Sequence, residues 1–186
     1  MPLKVLLLAL AAMLALPVAM AEEPYGIFIQ SASLSRRNDT SSISADVSYR
    51  FKPAMLEALE NGVPLTLLVQ FAIRRERPFW FAETIAEEER RIELRYHPLA
   101  KSYQIADQVS GAVQNFAGLA AMLETLSRLR GWQIGADYRL EPRQRYRACL
   151  QLRLDVESLP LPLRVVAYLA PNWQLDSPPF EWPLEP

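Results

Sequence analysis

The sequence predicts a mainly β, α+β fold: an antiparallel β-sandwich or strongly curved sheet, immunoglobulin-like at most loosely, carrying one amphipathic helix and short helical turns. Three observations lead there. Strict apolar/polar alternation recurs along the chain, most cleanly over 42–51 and 146–156. Turn chemistry separates such segments at short intervals, as at Asn61-Gly62 and 97–101. Only one stretch, about 115–130, carries a convincing apolar stripe at helical spacing.

Taken in order, Met1 to Ala21 has Lys4, an apolar run Val5–Leu16, Pro17 and the small-residue ending Ala19-Met20-Ala21. That pattern predicts a secretory signal peptide cleaved after Ala21, because the run is shorter than the roughly 18 apolar residues of a membrane span. The expected product is a single exported β-rich domain, 22–186, periplasmic and without a stable span. No Cys stands at the cleavage site, so no lipid anchor is expected.

Without Lys4 the exported chain has 19 basic and 21 acidic residues, a net charge of −2. Such a balance gives no reason for a polyanionic partner, and no nucleic acid is expected. A single Cys149 makes an intramolecular disulfide impossible, so stability must come from burial. Cys149 falls on the polar phase of its strand and reads as a semi-buried small residue, with a reactive thiol as the alternative.

The first strand begins at Tyr25 and alternates towards Arg36, with Phe28, Ala32 and Leu34 on one phase. It should pair with 42–51, where Ile43, Ala45, Val47, Tyr49 and Phe51 alternate with polar residues. Pro53 then opens a short helix, about 53–60, that Asn61-Gly62 should stop in the left-handed region. In the strand Leu65–Ile73 both phases are apolar or small, as expected for a strand covered on both faces near the middle of a sheet. The strand Arg91–His97 has one wet face, and 82–90 favours strand over a helical turn. We expect Pro78 and the following Glu-rich run to divide the two strands at a bend.

Ser102–Asp107 returns as a hairpin strand, the helix 115–130 follows, and Gly131 reads as its C-cap. Tyr146–Val156 is a long strand with a basic outer face. A short helical segment, about 162–169, follows Pro160 and Pro162, and a proline-limited tail carries Trp173, Phe180 and Trp182 as an edge strand or strap.

Chemistry-bearing motifs are scarce. One His and one Cys supply neither a thiolate–imidazole metal cluster nor an obvious triad, and no phosphate-binding glycine motif occurs, so no cofactor and no metal are expected. His97 sits at a turn before Pro98. Glu83, Glu87, Glu88 and Glu89 form the one carboxylate cluster, but Arg90 and Arg91 follow it, the pattern of a solvated face.

The most distinctive stretch is the elbow between the two central strands, in which Arg74, Arg75, Arg77, Phe79, Trp80 and Phe81 interleave cationic and aromatic groups. Such a patch can grip a partner surface, a polysaccharide or a membrane interface. The alternative is inward-packed aromatics covered by arginine stems.

The segments EALENGVPL (57–65), R-x-x-x-F-W within the elbow, RYHPLAKSYQI, LPLPLRVVAYL and WQLDS together resemble an uncharacterised family of exported proteobacterial proteins, a domain of unknown function. The likeness covers nearly all of the exported chain. It implies a Gram-negative envelope protein, often encoded near a membrane sensor kinase of the nitrogen-regulation type, and carries no catalytic residue across. The expected function is a non-enzymatic interaction or accessory module with a protein partner in the envelope. The alternatives are a carrier of a small apolar or amphipathic ligand between sheet and helix, and a carboxylate-dependent hydrolase using Glu87 or Glu88.

Overall fold

Two antiparallel sheets share one apolar core. A computed structural model of the chain describes residues 24–37, 40–78, 80–135 and 138–184, so the leader reading of 1–21 and candidate residue Phe79 lie outside the described residues. The smaller sheet has the order β1-β2-β7, where β1 is Gly26–Arg37, β2 Thr40–Arg50 and β7 Arg128–Ile134. The larger sheet has the order β6-β5-β4-β3-β8-β9. Its strands are β3 Leu65–Arg75, β4 Glu83–His97, β5 Ser102–Asp107, β6 Val113–Phe116, β8 Tyr146–Leu154 and β9 Phe180–Leu184. The helices are α1 Pro53–Glu60, α2 Leu119–Leu126 and α3 Leu161–Leu169, with single 3-10 turns at Val156–Ser158 and Pro171–Trp173. The mainly β, sandwich-like expectation therefore holds.

Alternation explains the core directly. Ile43, Ala45 and Val47 of β2 are buried, as are Leu65, Leu67, Val69, Phe71 and Ile73 of β3 and Ala148, Leu150, Leu152 and Leu154 of β8. Phe71 bridges the sheets, its ring edge-on to Trp132 of β7 at 6.4 Å and tilted against Trp182 of β9 at 6.1 Å. β3 sits between β4 and β8, and its outward Thr66 and Leu68 are buried too. Leu68 lies in register between Arg91 and Arg153, whose long apolar stems suit covering such a residue.

Several expectations change. β3 and β4 form one continuous hairpin, paired from Leu65↔Leu94 to Arg75↔Glu83, so the Glu-rich run is part of the ladder and does not divide the strands. In β1 a bulge between Ile29 and Ser31 switches the phase, which places Phe28 away from Ala32 and Leu34, with the Arg50 guanidinium 5.8 Å from its ring centroid.

The expected helix 115–130 is shorter. It spans Leu119–Leu126, buries Met122 and Leu126, and is preceded by extended Gly118. The flanks 113–116 and 128–134 are strands. Gly131 is not a helix cap. It adopts φ +60° at a bulge where Arg130 and Gly131 together oppose Ser44, between the pairs Ile43↔Trp132 and Ala45↔Leu129.

α1 ends as the sequence requires. Gly62 takes φ +84°, its N–H bonds the Leu59 carbonyl at 2.9 Å and the Val63 N–H bonds the Ala58 carbonyl at 2.9 Å, the two bonds of a Schellman motif. A Cβ at Gly62 would meet nothing within 4 Å, so only backbone strain opposes a side chain. Gly62→Ala is expected to cost about 1–2 kcal/mol, read as a lower urea midpoint at unchanged slope.

The topology gives the domain two poles. At one lie the start of β3, the end of β8, α1, α3 and the entry of the chain, where the Ile27 N–H bonds the Asp176 carbonyl. At the other lies the elbow 76–82. The eleven residues of β3 separate them by roughly 35 Å.

Candidate functional site

β3 delivers Arg74 and Arg75 to the rim of the large sheet, and the turn after it projects the aromatic tip. Arg75 faces Glu83 on β4 and Tyr146 on β8, while the Glu76 N–H bonds the Arg145 carbonyl at 2.9 Å, so the elbow is tied to both neighbouring strands. Its cations are then matched one by one. The Arg75 Nε donates to Glu83 at 3.0 Å and its Nη1 lies 3.4 Å from Glu141. Arg77 also pairs with Glu83, Arg74 with Glu181 at 3.7 Å, and Arg147 with Glu76 at 2.5 Å and Glu181 at 3.6 Å. The bond from Arg75, joined by Arg77, holds the Glu83 carboxyl below the usual carboxylate range, against the opposing effect of burial.

The aromatics are not part of this lattice. Trp80 is 80% exposed and Phe81 96% exposed. The alternative in which elbow aromatics pack inward is therefore overturned at these two positions. The rim brings together Arg74, Arg75, Arg77, Trp80 and Phe81. The adjoining loop adds exposed Arg143 and Arg145, which sequence reasoning did not single out. The signal available was their position just before a strand that must pair with β3.

The remaining candidates are placed elsewhere. His97 closes β4 opposite Ser102. Cys149 is buried on the outer phase of β8, and burial pushes its thiol up, which makes the thiolate scarce. Strand alternation puts Glu88 on the opposite face from Glu87 and Glu89. The Glu88 carboxylate accepts from the Gly135 N–H at 3.1 Å, and Glu89 accepts from the Gln70 amide at 2.8 Å. Trp173 is buried and Trp182 packs on Phe71 and Phe180, fastening the tail to the core. Among the described residues no group of three or more His, Cys, Asp or Glu is arranged to hold a metal.

A second feature went unread in the sequence. On the inward phase of β4, in line with Ile92 and Leu94, stands Arg90, whose Nη2 lies 2.7 Å from Asp107 at the end of β5. Burial raises the Asp107 carboxyl, but the Ser110 hydroxyl, the Val109 N–H and Arg90 outweigh it, so its pKa lies below the usual value. The pair lines a cleft of about 260 Å³ between the large sheet and the junction of α2 with β7, with Ile92, Ile105, Leu126 and Leu129 as apolar lining and Arg128 and Arg130 among the polar residues. A cation on the apolar phase of a strand was the available signal.

No curated protein and no solved structure matches the chain significantly. A family profile described as Domain of unknown function (DUF4390) matches residues 25–183, nearly the whole described domain. The chain therefore belongs to the DUF4390 family.

Proposed function

We propose that the chain is a non-enzymatic accessory module of the bacterial cell envelope, exported by its leader, which meets a protein partner through the aromatic tip of the elbow. One observation carries this reading: Trp80 and Phe81 stand in solvent on a rim whose own arginines are already matched by carboxylates. Large exposed aromatics on a rigid, ion-paired base suit the anchor role in protein interfaces. Trp80 and Phe81 each have only two side-chain torsions to fix, so their ordering costs little for the area they offer. Exposed Arg145, whose carbonyl accepts from the Glu76 N–H at the start of the elbow, and exposed Arg143 in the same loop favour a partner surface that offers an apolar pocket edged by carboxylates. A periplasmic address rests on the Met1–Ala21 pattern. A membrane sensor protein as the partner rests on the family resemblance.

The test is affinity capture from the envelope of the native host. Trp80→Ala with Phe81→Ala should leave the thermal midpoint within about 2 °C, because both side chains are exposed, and should weaken capture of the specific partner at least tenfold. Unchanged capture by the double variant would remove the elbow as the binding surface. Arg75→Glu is unsuitable as the probe, since it sets a carboxylate against Glu83 and Glu141 and disturbs the base itself.

A second reading, a carrier of a small amphipathic ligand, is favoured by the cleft between the large sheet and the junction of α2 with β7. Its volume falls just below the roughly 300–1,000 Å³ of drug-sized sites, so its ligand would be small, with a polar end at Arg90 and Asp107. Native mass spectrometry of protein taken from its own periplasm tests it, and a clean apo mass would end it.

A further inference from the structure

In the cleft between the large sheet and the junction of α2 with β7, the two members of the Arg90–Asp107 pair are unequally satisfied. Asp107 Oδ1 accepts from the Val109 N–H at 2.9 Å and the Ser110 N–H at 3.3 Å. Its Oδ2 accepts from the Ser110 hydroxyl at 2.7 Å and from Arg90 Nε at 3.0 Å and Nη2 at 2.7 Å. A carboxylate offers about four lone-pair sites, so this one, 8% exposed, has none left for a further donor. Arg90 has donors to spare. Its Nη1 bonds nothing among the described residues, and the one buried side-chain polar atom without a partner among them is Arg164 Nε. The Arg90 Nη1 therefore opens onto space that a ligand can fill.

We propose that this cleft, read above as the pocket of a carrier, binds a small aliphatic monocarboxylate, and the assignment rests on that reading. The ligand carboxylate accepts from Arg90, and its tail lies against Ile92, Ile105, Leu126 and Leu129. Hydrogen-bond capacity selects the sign of the head. A cationic head would find no free acceptor of opposite charge, because Asp107 is the only carboxylate lining the cleft among the described residues and its oxygens are taken. It would also stand among three guanidinium groups, those of Arg90, Arg128 and Arg130. An anionic head instead meets unused guanidinium N–H groups in a part-buried setting, where a charge-assisted bond is strong.

Arg128 and Arg130 are tied to Glu124 and Asp46 in exposed pairs whose carboxylates do not line the cleft, which leaves Arg90 as the anchor. Asp107 is a positioning residue: it fixes the guanidinium through Nε and Nη2 before any ligand arrives, so less order is lost on binding. Volume selects the size. At about 260 Å³ the cleft admits a head and one short tail, and its apolar lining is aliphatic without an aromatic ring, which suits an alkyl chain.

The experiment is calorimetric titration of the whole protein, purified from its native host and dialysed, with octanoate, 1-octanol and octylammonium, which share one chain length. Octanoate should bind about tenfold or more tightly than octanol, and octylammonium should show no binding. Arg90→Lys keeps a cation for Asp107 but loses the planar fork, so it should weaken octanoate about tenfold or more and leave octanol unchanged. Ala112→Trp, at an exposed position that lines the cleft, should abolish binding of both with the melting temperature kept. Octanol binding as tightly as octanoate, or octylammonium binding best, would overturn the proposal and leave the carrier reading standing. Unchanged octanoate affinity in Arg90→Lys would do the same. Octanoate binding that survives Ala112→Trp would place the ligand elsewhere and overturn it as well. If none of the three binds the unaltered protein, the carrier reading falls with the proposal.

Discussion

Phe71→Ala is expected to lower the unfolding free energy by about 3–5 kcal/mol, the largest effect of any single truncation considered for this domain. The side chain is 1% exposed at the centre of the middle strand, and its ring is the contact through which β3 meets β7 of the other sheet and β9 of its own. Removing it deletes the transfer contribution of the ring and leaves a cavity walled by Trp132 and Trp182. Rigid strands on both sides limit how far that cavity can collapse, which places the cost in the upper part of the range. Tryptophan fluorescence in urea reads the change at the two lining indoles. A loss below about 1 kcal/mol would mean that the sheets are not held together at this point. Phe71→Leu, which keeps most of the volume, should cost less than half as much.

Asp107→Ala is expected to cost about 3 kcal/mol, because it leaves the Arg90 guanidinium on the inward phase of β4 without its partner and removes the acceptor that orders the turn into β6. The same carboxylate gives the domain part of its acid sensitivity. Asp107 and Glu83 are both held below their ordinary values of 3.8 and 4.5, so each contributes stability that is fully present above the unfolded value and lost as pH falls through the folded one. Stability should be flat with respect to these two groups from neutral pH to about 5 and decline below about 4.5. Asp107→Asn preserves the shape but not the charge. It should lower the neutral plateau and make the acid decline shallower, checked by thermal midpoints across pH 3–7.

The parts of the fold that were legible are those in which one period runs unbroken. β2 and β8 alternate without interruption over eleven and nine residues, β3 is apolar or small on both phases as a central strand requires, and α1 is bounded by Pro53 and Gly62, each with a single conformational meaning. β7 was misread for a physical reason. Its bulge places Leu129 and Trp132 three residues apart, and that step continues the spacing of Leu123 and Leu126, so a bulged strand imitates the next turn of a helix. Phe28 was misplaced by the same device in β1.

At the candidate site the residue types were visible and the pairing was not. Arg75 and Glu83 are eight positions apart, but Arg75–Glu141, Arg147–Glu76 and Arg74–Glu181 depend on which strands lie side by side, which local pattern does not encode. The exposure of the apolar residues Leu161, Val165 and Leu169 on α3 was illegible for a related reason. An amphipathic pattern shows that a face is apolar, and only the tertiary arrangement shows which way it points.

The central claim is that the aromatic tip of the elbow is a binding surface. The most direct measurement is photo-crosslinking in the native host from an unnatural amino acid at position 81, with position 133 on the smaller sheet as the control. The account predicts a discrete protein adduct from 81 that is absent from 133 and is lost when Trp80→Ala is added. A cell in which position 81 yields no adduct beyond that of position 133, with the protein folded and at its normal level, would contradict it.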